Sequence, residues 1–383
     1  MRADNSNHMQ KLDVYFDNRL VGTLALTDKK NIAFMYDDVW LENGFSISPF
    51  SLQLEKKVFL PSKSYFGGLF GVFADSLPDA WGNILLNRML KKQGIEPGSL
   101  NPLDRLAIVG ESGMGALTYR PVRELLSDEA NLSIDELAEQ CRQVLHSENP
   151  DNLDELYRLG GTSGGARPKV LMQIEKEDWM IKFPAHVDGK DAGLMEFEYA
   201  KCAEKCGITV SEARLFPSEN CSGYFGTKRF DRIKGLGGTK ERRVHMITTA
   251  ALLELDFEQP CLDYHDLMKL TKILTGEYRN DVEEMYRRMC FNIFAHNRDD
   301  HSKNFSYLYK EDEQVWRLSP AYDMTYSNTY YGEHTTSVDG NGVNPGKKEL
   351  IAVGLKAGLK KNWCEACADS IEACVNQYLK KYV

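Results

Sequence analysis

The sequence contains no apolar run near the ~20 residues that a membrane-spanning helix needs. Its first ten residues, MRADNSNHMQ, are too polar for a secretory signal peptide. An excess of basic residues is also absent, since 47 Lys and Arg stand against 56 Asp and Glu, a net charge of −9. Such a chain does not bind nucleic acid over its whole surface. We therefore expect a soluble cytoplasmic protein with no membrane partner.

The nine cysteines are odd in number and scattered, which favours reduced thiols over a disulfide framework. The CxxC pair in WCEAC has no second CxxC to complete four zinc ligands. Residues around it recur at helical spacing: Trp363, Cys367, Ile371, Cys374 and Tyr378. This pattern predicts core packing rather than a metal or redox site.

The first part of the chain alternates strand and helix signals. KLDVYFDNRLVGTLAL predicts a hairpin that turns at Asp17 and Asn18, and NIAFMYD predicts a third strand. SLPDAWGNILLNRMLKKQG predicts a helix with Ser76 as N-cap, Pro78 in the first turn and Gly94 at the end. A chain of 383 residues is long enough for two or three domains of this mixed type.

The middle of the chain changes character. SIDELAEQCRQVLH predicts a helix that opens with a capping box of Ser133 and Glu136. A Gly-rich stretch, LGGTSGGARPKVLMQI, then leads through the turn EKED into the strand WMIKFP. Glycines at the entrance of such a hairpin suit a phosphate cradle, although a plain connection is an equally good interpretation. The next helix, GLMEFEYAKCAEKCGI, carries Glu196 and Glu198, and mostly helical segments follow until the hairpin FSYLYKEDEQVWRLSP.

The stretch AHNRDDHSKNFS concentrates charged and amide side chains directly after the apolar run MCFNIF. Asp299 precedes Asn304 by five residues, the D-x-x-x-x-N spacing of kinase catalytic loops. Asp323 follows a hairpin, where a kinase places its second metal-binding aspartate, and Lys182 lies in a strand, where a kinase places its phosphate-binding lysine. Each residue alone has a structural interpretation. Their common order predicts a site for phosphoryl transfer with ATP and Mg²⁺.

Several separated motifs resemble the HipA family of bacterial serine/threonine kinases, the toxin halves of HipA–HipB toxin–antitoxin pairs. These motifs are FADSLPDAWG, GGARPK, IKFP, TKRFDR, RDDHSKNFS and PAYDM, and they span nearly the whole chain. The resemblance implies an α+β, protein-kinase-like bilobal fold of the HipA and phosphoinositide-kinase kind. It divides the chain into an N-terminal accessory subdomain (10–122), a linker helix with the N-lobe (123–235) and a helical C-lobe (236–383).

The resemblance also assigns roles to residues. The catalytic residues would be Asp299, His301 and Lys303, and the magnesium ligands Asn304 and Asp323. The ATP-binding residues would be Gly164, Gly165, Ala166, Lys182, Glu198, Arg229 and Phe230. Glu196 is the alternative to Glu198 as the partner of Lys182. Autophosphorylation is expected in the Gly-rich loop at Thr162, with Ser163 as the alternative, and the added charge would expel the loop and lower ATP affinity.

Two residues depart from the family pattern. Asp300 stands where many relatives carry a small residue, and like-charge repulsion from it would perturb the pKa of Asp299. Lys228 stands beside the adenine segment where many relatives carry glutamate. Neither departure removes a metal ligand, so we expect an active enzyme.

Partners follow from the same resemblance. They are a helix-turn-helix antitoxin like HipB, DNA only through that antitoxin, and a protein substrate for which an aminoacyl-tRNA synthetase is the candidate. Two other functions stay open: a small-molecule or lipid kinase, and a catalytically idle partner in a repressor complex.

Overall fold

A computed structural model describes residues 8–28, 31–63, 65–125, 131–148, 150–185, 188–233, 242–329 and 332–383. The chain forms two compact units. Unit 1 comprises Met1–Asp188 and Asp231–Leu255, and unit 2 comprises Gly189–Phe230 and Asp256–Val383. The boundary expected after residue 235 lies outside the described residues. No helix in the described part of the chain is long and apolar enough to cross a membrane.

The strands are β1 (Lys11–Phe16), β2 (Arg19–Leu26), β3 (Ile32–Tyr36), β4 (Leu117–Arg120), β5 (Lys169–Ile174), β6 (Glu177–Lys182), β7 (Ala213–Phe216), β8 (Tyr224–Lys228), β9 (Arg232–Ile233), β10 (Arg242–Arg243), β11 (Met246–Thr248), β12 (Ser306–Lys310) and β13 (Val315–Leu318). The helices are α1 (Asp38–Asn43), α2 (Gly71–Ala74), α3 (Ala80–Lys92), α4 (Pro102–Val109), α5 (Ile134–Leu145), α6 (Leu153–Gly160), α7 (Ala192–Lys205), α8 (Thr249–Leu252), α9 (Tyr264–Leu274), α10 (Arg279–Phe294), α11 (Lys347–Lys356) and α12 (Lys361–Tyr378).

Unit 1 begins with an antiparallel sheet in the order β3-β2-β1-β4. Alternate residues of β1, among them Leu12 and Val14, are fully buried, as the period of a strand with one covered face requires. Asp17 and Asn18 take left-handed φ angles of 46° and 62°, the conformation of a two-residue hairpin turn that matches strand twist. The predicted hairpin and third strand are confirmed.

The start of α3 differs from the prediction. Asp79, in an extended conformation, is the N-cap, so neither Ser76 nor Pro78 belongs to the first turn. Ser76 is instead buried and accepts a 2.7 Å hydrogen bond from the Tyr119 hydroxyl. The sequence pattern placed the cap too early because a buried serine and a capping serine look alike. The end was predicted correctly, since Gly94 follows the helix with a φ of 72°.

The capping box of α5 is confirmed. The Ser133 hydroxyl accepts the Glu136 N–H at 3.3 Å, and the Glu136 carboxylate accepts the Ser133 N–H at 2.7 Å. Further along unit 1, β5 and β6 form the predicted hairpin, which turns at Glu175 and Lys176 with φ angles of 54° and 64°. Lys169 pairs with Lys182 in this hairpin, so the Gly-rich segment that precedes β5 and Lys182 at the end of β6 lie at the same end, opposite the turn.

Unit 2 contains the antiparallel pairs β7–β8 and β12–β13 and the helices α7, α9, α10, α11 and α12. The sequence predicted these segments except β7 and α11. Helix α10 is the most deeply buried of these, with Met285, Met289 and Phe291 fully inaccessible. It packs against α9 and α12. Its C-terminal end leads directly into the segment AHNRDDHSKNFS, so the core of unit 2 positions that segment.

Candidate active site

The loop after α10 is fixed at its first residues. The Asn297 N–H donates to the Asn292 carbonyl at 2.9 Å, and the Asn297 amide donates to the Asn292 side chain at 3.0 Å. His296, between them, takes a left-handed φ of 51°. This conformation is uncommon for a residue other than glycine and ends the helix abruptly. The polar residues that follow therefore start from one defined point.

Asp299 is exposed, while its backbone is held by the loop. Its carbonyl accepts the Asn304 amide at 2.7 Å, which closes the six-residue D-x-x-x-x-N segment on itself. The His301 Nε2 atom lies 3.9 Å from an Asp299 carboxylate oxygen. The loop thus presents the Asp299 carboxylate at the surface of unit 2 from a constrained backbone.

Asn304 ends a short 3₁₀ turn, Ser302–Asn304, which His301 caps by accepting the Lys303 N–H at 3.2 Å. Because the amide nitrogen of Asn304 donates to Asp299, its carboxamide oxygen is the atom suited to a cation. Lys303 extends along the Phe257 ring, with Nζ 4.6 Å from the ring centroid. His301 packs on the same ring, at 5.6 Å between centroids.

Asp323 follows β13 and has a left-handed φ of 53°. A non-glycine residue in this region is held there by its surroundings, and such residues concentrate at functional sites. The adjacent Tyr322 donates its hydroxyl to the Lys303 carbonyl at 2.6 Å, which ties the two polar segments together. The Tyr322 ring also lies 5.8 Å from the ring of Phe230. Unit 2 thus brings the segments of Asp323, Asn304 and Phe230 together.

The buried Asp300 serves a different purpose from its neighbour. Its carboxylate accepts the Tyr264 hydroxyl at 2.8 Å, the Thr336 N–H at 3.1 Å and a contact from His334 at 3.2 Å. Burial, together with the charge of Asp300, raises the pKa of Tyr264 well above its usual value, so this tyrosine stays a donor. Asp300 therefore anchors the loop from within, a role that the sequence analysis missed.

In unit 1, the segment PDAWG holds the Gly-rich loop. The Gly165 N–H donates to the Asp79 carboxylate at 2.8 Å, and the Gly165 carbonyl accepts the Trp81 N–H at 3.2 Å. The Trp81 indole donates to the Lys169 carbonyl at 3.1 Å. Gly165 has a φ of 84°, which favours glycine. Asp79 thus occupies a loop N–H that a phosphate cradle would use, a contact that the motif PDAWG does not reveal by itself.

The two hydroxyls of the loop are in different environments. Thr162 is half-buried and donates to the Ser112 carbonyl at 3.0 Å. Ser163 is fully buried and donates to the Gly160 carbonyl at 2.7 Å. Gly164 is half-buried and Ala166 exposed. Of the two hydroxyls, Thr162 is the more accessible.

The residues expected to surround the nucleotide are distributed over both units. Lys182 ends β6 and is buried in unit 1, and Glu196 of α7 is buried in unit 2. Glu198 has partners of its own within unit 2: Lys381 Nζ at 2.7 Å and the Tyr382 hydroxyl at 2.7 Å. Burial alone would raise the pKa of Glu198, but these two donors lower it. The C-terminal segment therefore engages Glu198, and the choice between Glu198 and Glu196 as partner of Lys182 stays a prediction.

The segment before Phe230 shows how the unusual Lys228 is accommodated. The Lys228 N–H donates to the Glu212 carbonyl at 2.9 Å, and the Lys228 Nζ atom lies 4.0 Å from the Glu212 carboxylate. Arg229 and Phe230, the two residues expected at adenine, are half-buried. Lys228 thus pairs with Glu212, the residue directly before strand β7 of the same hairpin.

Comparisons with known proteins place the chain in a family. Residues 12–120 match the HipA N-terminal domain, and residues 161–378 match the HipA-like C-terminal domain. The chain belongs to the HipA family.

Two relatives and one solved structure are similar over most of the chain. The candidate kinase Y4mE of Sinorhizobium fredii is 25% identical over 351 residues, 83% of this chain and 78% of the relative. The candidate kinase Y4dM of the same organism is 29% identical over 385 residues, 91% and 86% of the two chains. A structure of the HipA, HipB and operator DNA complex from Shewanella oneidensis MR-1 matches with a TM-score of 0.72 at 18% identity, covering 97% of this chain and 90% of that chain. The α+β, kinase-like HipA fold expected from the sequence is confirmed.

Proposed function

We propose that this protein is an ATP- and Mg²⁺-dependent serine/threonine protein kinase. The observation that carries the proposal is the closed loop in which Asn304 fixes the Asp299 backbone while the Asp299 carboxylate stays exposed. Phosphoryl transfer needs positioning and charge neutralisation more than covalent chemistry, and a carboxylate on a constrained backbone, in the same unit as Asn304 and Asp323, suits both needs. The similarity to two candidate kinases supports the same activity.

The oxygen donors of unit 2 fit magnesium, a hard cation that prefers carboxylate and amide oxygens. Asn304 and Asp323 would hold it, and the ion would neutralise the phosphate oxygens of ATP. Asp299 would accept a hydrogen bond from the acceptor hydroxyl and orient it. In the N-terminal unit, Lys182 would bind the phosphates. Because Glu198 is engaged by Lys381 and Tyr382, we assign the pairing with Lys182 to Glu196.

His301 and Lys303 would support the loop rather than react. Both pack on Phe257, and the Lys303 backbone joins the loop to the Asp323 segment through Tyr322. Arg229 and Phe230 would contact adenine, with the Phe230 ring placed by Tyr322. Gly164, Gly165 and Ala166 would face the phosphates. Since Asp79 holds the Gly165 N–H in this structure, that donor becomes available to a phosphate only when the loop releases Asp79.

We further propose that the protein is the growth-inhibiting toxin of a toxin–antitoxin pair with a helix-turn-helix antitoxin. The similar Shewanella protein was solved with HipB and operator DNA. A net charge of −9 does not favour direct DNA binding by this chain, so contact with DNA would run through the antitoxin. A protein substrate, for which an aminoacyl-tRNA synthetase is the candidate, would accept the phosphate.

Replacing either magnesium ligand should weaken nucleotide binding. We expect Asn304→Ala and Asp323→Ala to lower Mg-ATP affinity, because each removes one of the few protein oxygens on the ion. At a Mg-ATP concentration of 100 times the Kd, the wild-type protein should gain about 2.7 kcal/mol in its free energy of unfolding, and the variants should gain less at the same concentration. Calorimetric titration with and without magnesium measures the effect. Unchanged Mg-ATP affinity in both variants would contradict the assignment.

Autophosphorylation should occur at Thr162 and switch the kinase off. The Thr162 hydroxyl donates to the Ser112 carbonyl, and a phosphate would replace this donor with a charge of about −1.5 to −2 that the carbonyl repels. The loop would then leave its place and ATP affinity would fall. Mass spectrometry after incubation with Mg-ATP measures the modification, with Asp299→Asn, Thr162→Val and Ser163→Ala as matched variants. Active protein that carries no phosphate at residues 162 or 163 would refute the switch and leave the kinase assignment intact.

A further inference from the structure

Three cysteine side chains converge in unit 2, far from the catalytic loop in sequence. Cys202 lies near the end of α7, and Cys206 caps the same helix. Because they are four residues apart, both face the same side of the helix. Cys374 of α12 meets them, and all three sulfur atoms lie within 4.8 Å of one another. Among the described residues, this is the one group of three or more sulfur, imidazole or carboxylate ligands at such spacing.

The geometry suits a tetrahedral thiolate site. In such a site a Zn–S bond of about 2.3 Å separates neighbouring sulfur atoms by about 3.8 Å. The sulfur atoms of Cys202 and Cys374 are 4.0 Å apart. The sulfur–sulfur bond of a disulfide is about 2.05 Å long. The observed distance is therefore nearly twice that of a disulfide and close to the distance between two sulfur ligands of one zinc ion.

Other contacts hold α7 close to α12 and the residues that follow it, independently of the cysteines. Glu198 of α7 pairs with Lys381 at 2.7 Å and accepts the Tyr382 hydroxyl at 2.7 Å. Lys205 of α7 places its Nζ 4.6 Å from the centroid of the Tyr378 ring in α12. The thiols are therefore brought together by surrounding contacts, which lowers the cost of ordering them around an ion.

The three thiols differ in their exposure to solvent. Cys202 is buried, whereas Cys206 and Cys374 are half-buried, so a fourth ligand can reach the site from solvent.

We infer that Cys202, Cys206 and Cys374 form a binding site for a soft divalent cation, Zn²⁺, with three thiolate ligands and a fourth position open to solvent. Each thiol that coordinates gives its proton to solvent, and no electron is transferred. The ion would fasten α7 to α12. The inference does not depend on the kinase proposal, since none of the three residues has a role there.

Metal titration of the full chain under reducing conditions tests the site. The probes are Zn²⁺ and Co²⁺ alone, and the variants are Cys374→Ser, Cys206→Ser and the control Cys261→Ser, which changes an exposed cysteine outside the cluster. Wild type and Cys261→Ser should bind about one Zn²⁺ per chain. With Co²⁺ they should show a thiolate-to-cobalt charge-transfer band. Either cluster variant should lose this band and bind Zn²⁺ at least about tenfold more weakly.

Three results would overturn the inference. One is the absence of Zn²⁺ binding by wild type, and another is equal affinity in wild type and both cluster variants. The third is a Cys202–Cys374 disulfide in protein alkylated directly after lysis, which would make the pair a redox couple instead. Circular dichroism of the metal-free variants distinguishes the loss of a metal-binding side chain from the loss of the fold. If Cys374→Ser does not fold, Cys206→Ser, at the end of α7, provides the test.

Discussion

Asp299→Asn should reduce phosphoryl transfer by roughly 10²–10⁴-fold, the contribution of a positioned general base. The change preserves the shape of the side chain and removes the charge that orients the acceptor hydroxyl. Since the carboxylate is exposed and Asn304 holds the backbone carbonyl of residue 299, the loop should keep its conformation. Transfer of the γ-phosphate of ATP, measured as autophosphorylation, reports the loss.

Two further measurements separate chemistry from binding and folding. Mg-ATP affinity should stay close to that of wild type. The free energy of unfolding, measured by denaturant titration, should change by no more than about 0.5 kcal/mol, as for other exposed positions. Asp312→Asn, which changes an exposed aspartate in the β12–β13 turn, is the matched control and should retain activity. Wild-type turnover by Asp299→Asn would rule out its assignment as the catalytic aspartate.

Asp300→Ala should destabilise unit 2 by about 3–5 kcal/mol, the cost of removing one member of a buried charged network. The substitution takes away the acceptor of the Tyr264 hydroxyl and the Thr336 N–H and leaves both donors buried. A buried donor without an acceptor destabilises the fold by its full desolvation free energy. Denaturant titration followed by circular dichroism measures the shift, and activity should fall with it because the loop loses its anchor.

The adjacent aspartates thus provide a matched pair. Asp299→Ala should lose activity and keep stability, whereas Asp300→Ala should lose stability first. Asp300→Asn keeps the shape and part of the hydrogen bonding, so its midpoint should lie between those of wild type and Asp300→Ala. Equal stability of Asp299→Ala and Asp300→Ala would contradict the anchoring role.

Much of the fold was predictable from local patterns. The β1–β2 and β5–β6 hairpins follow from alternating apolar residues and turns, and the capping box of α5 follows from side chains three residues apart. The start of α3 was predicted wrongly because the role of Ser76 depends on Tyr119, a residue 43 positions away. A local pattern carries no information about such a partner.

The candidate site shows the same division. The sequence placed Asp299, Asn304 and Asp323 in one site because their spacing matches a motif, and unit 2 brings their segments together. It did not predict the anchoring of Asp300 by Tyr264, the hold of Asp79 on Gly165 or the meeting of Cys202 with Cys374. Each of these contacts joins residues more than 30 positions apart, and only the folded chain establishes them.

The most direct test of the account follows the γ-phosphate of labelled ATP in a cell lysate with magnesium. Wild-type protein should label a protein substrate on serine or threonine, and Asp299→Asn should label none, while panels of lipids and small molecules stay unlabelled. Label confined to lipids or small molecules would point to a different kind of kinase. Equal labelling by wild type and Asp299→Asn, or no ATP-dependent labelling by a wild-type protein that binds Mg-ATP, would contradict the proposal that this chain is a protein kinase acting through Asp299.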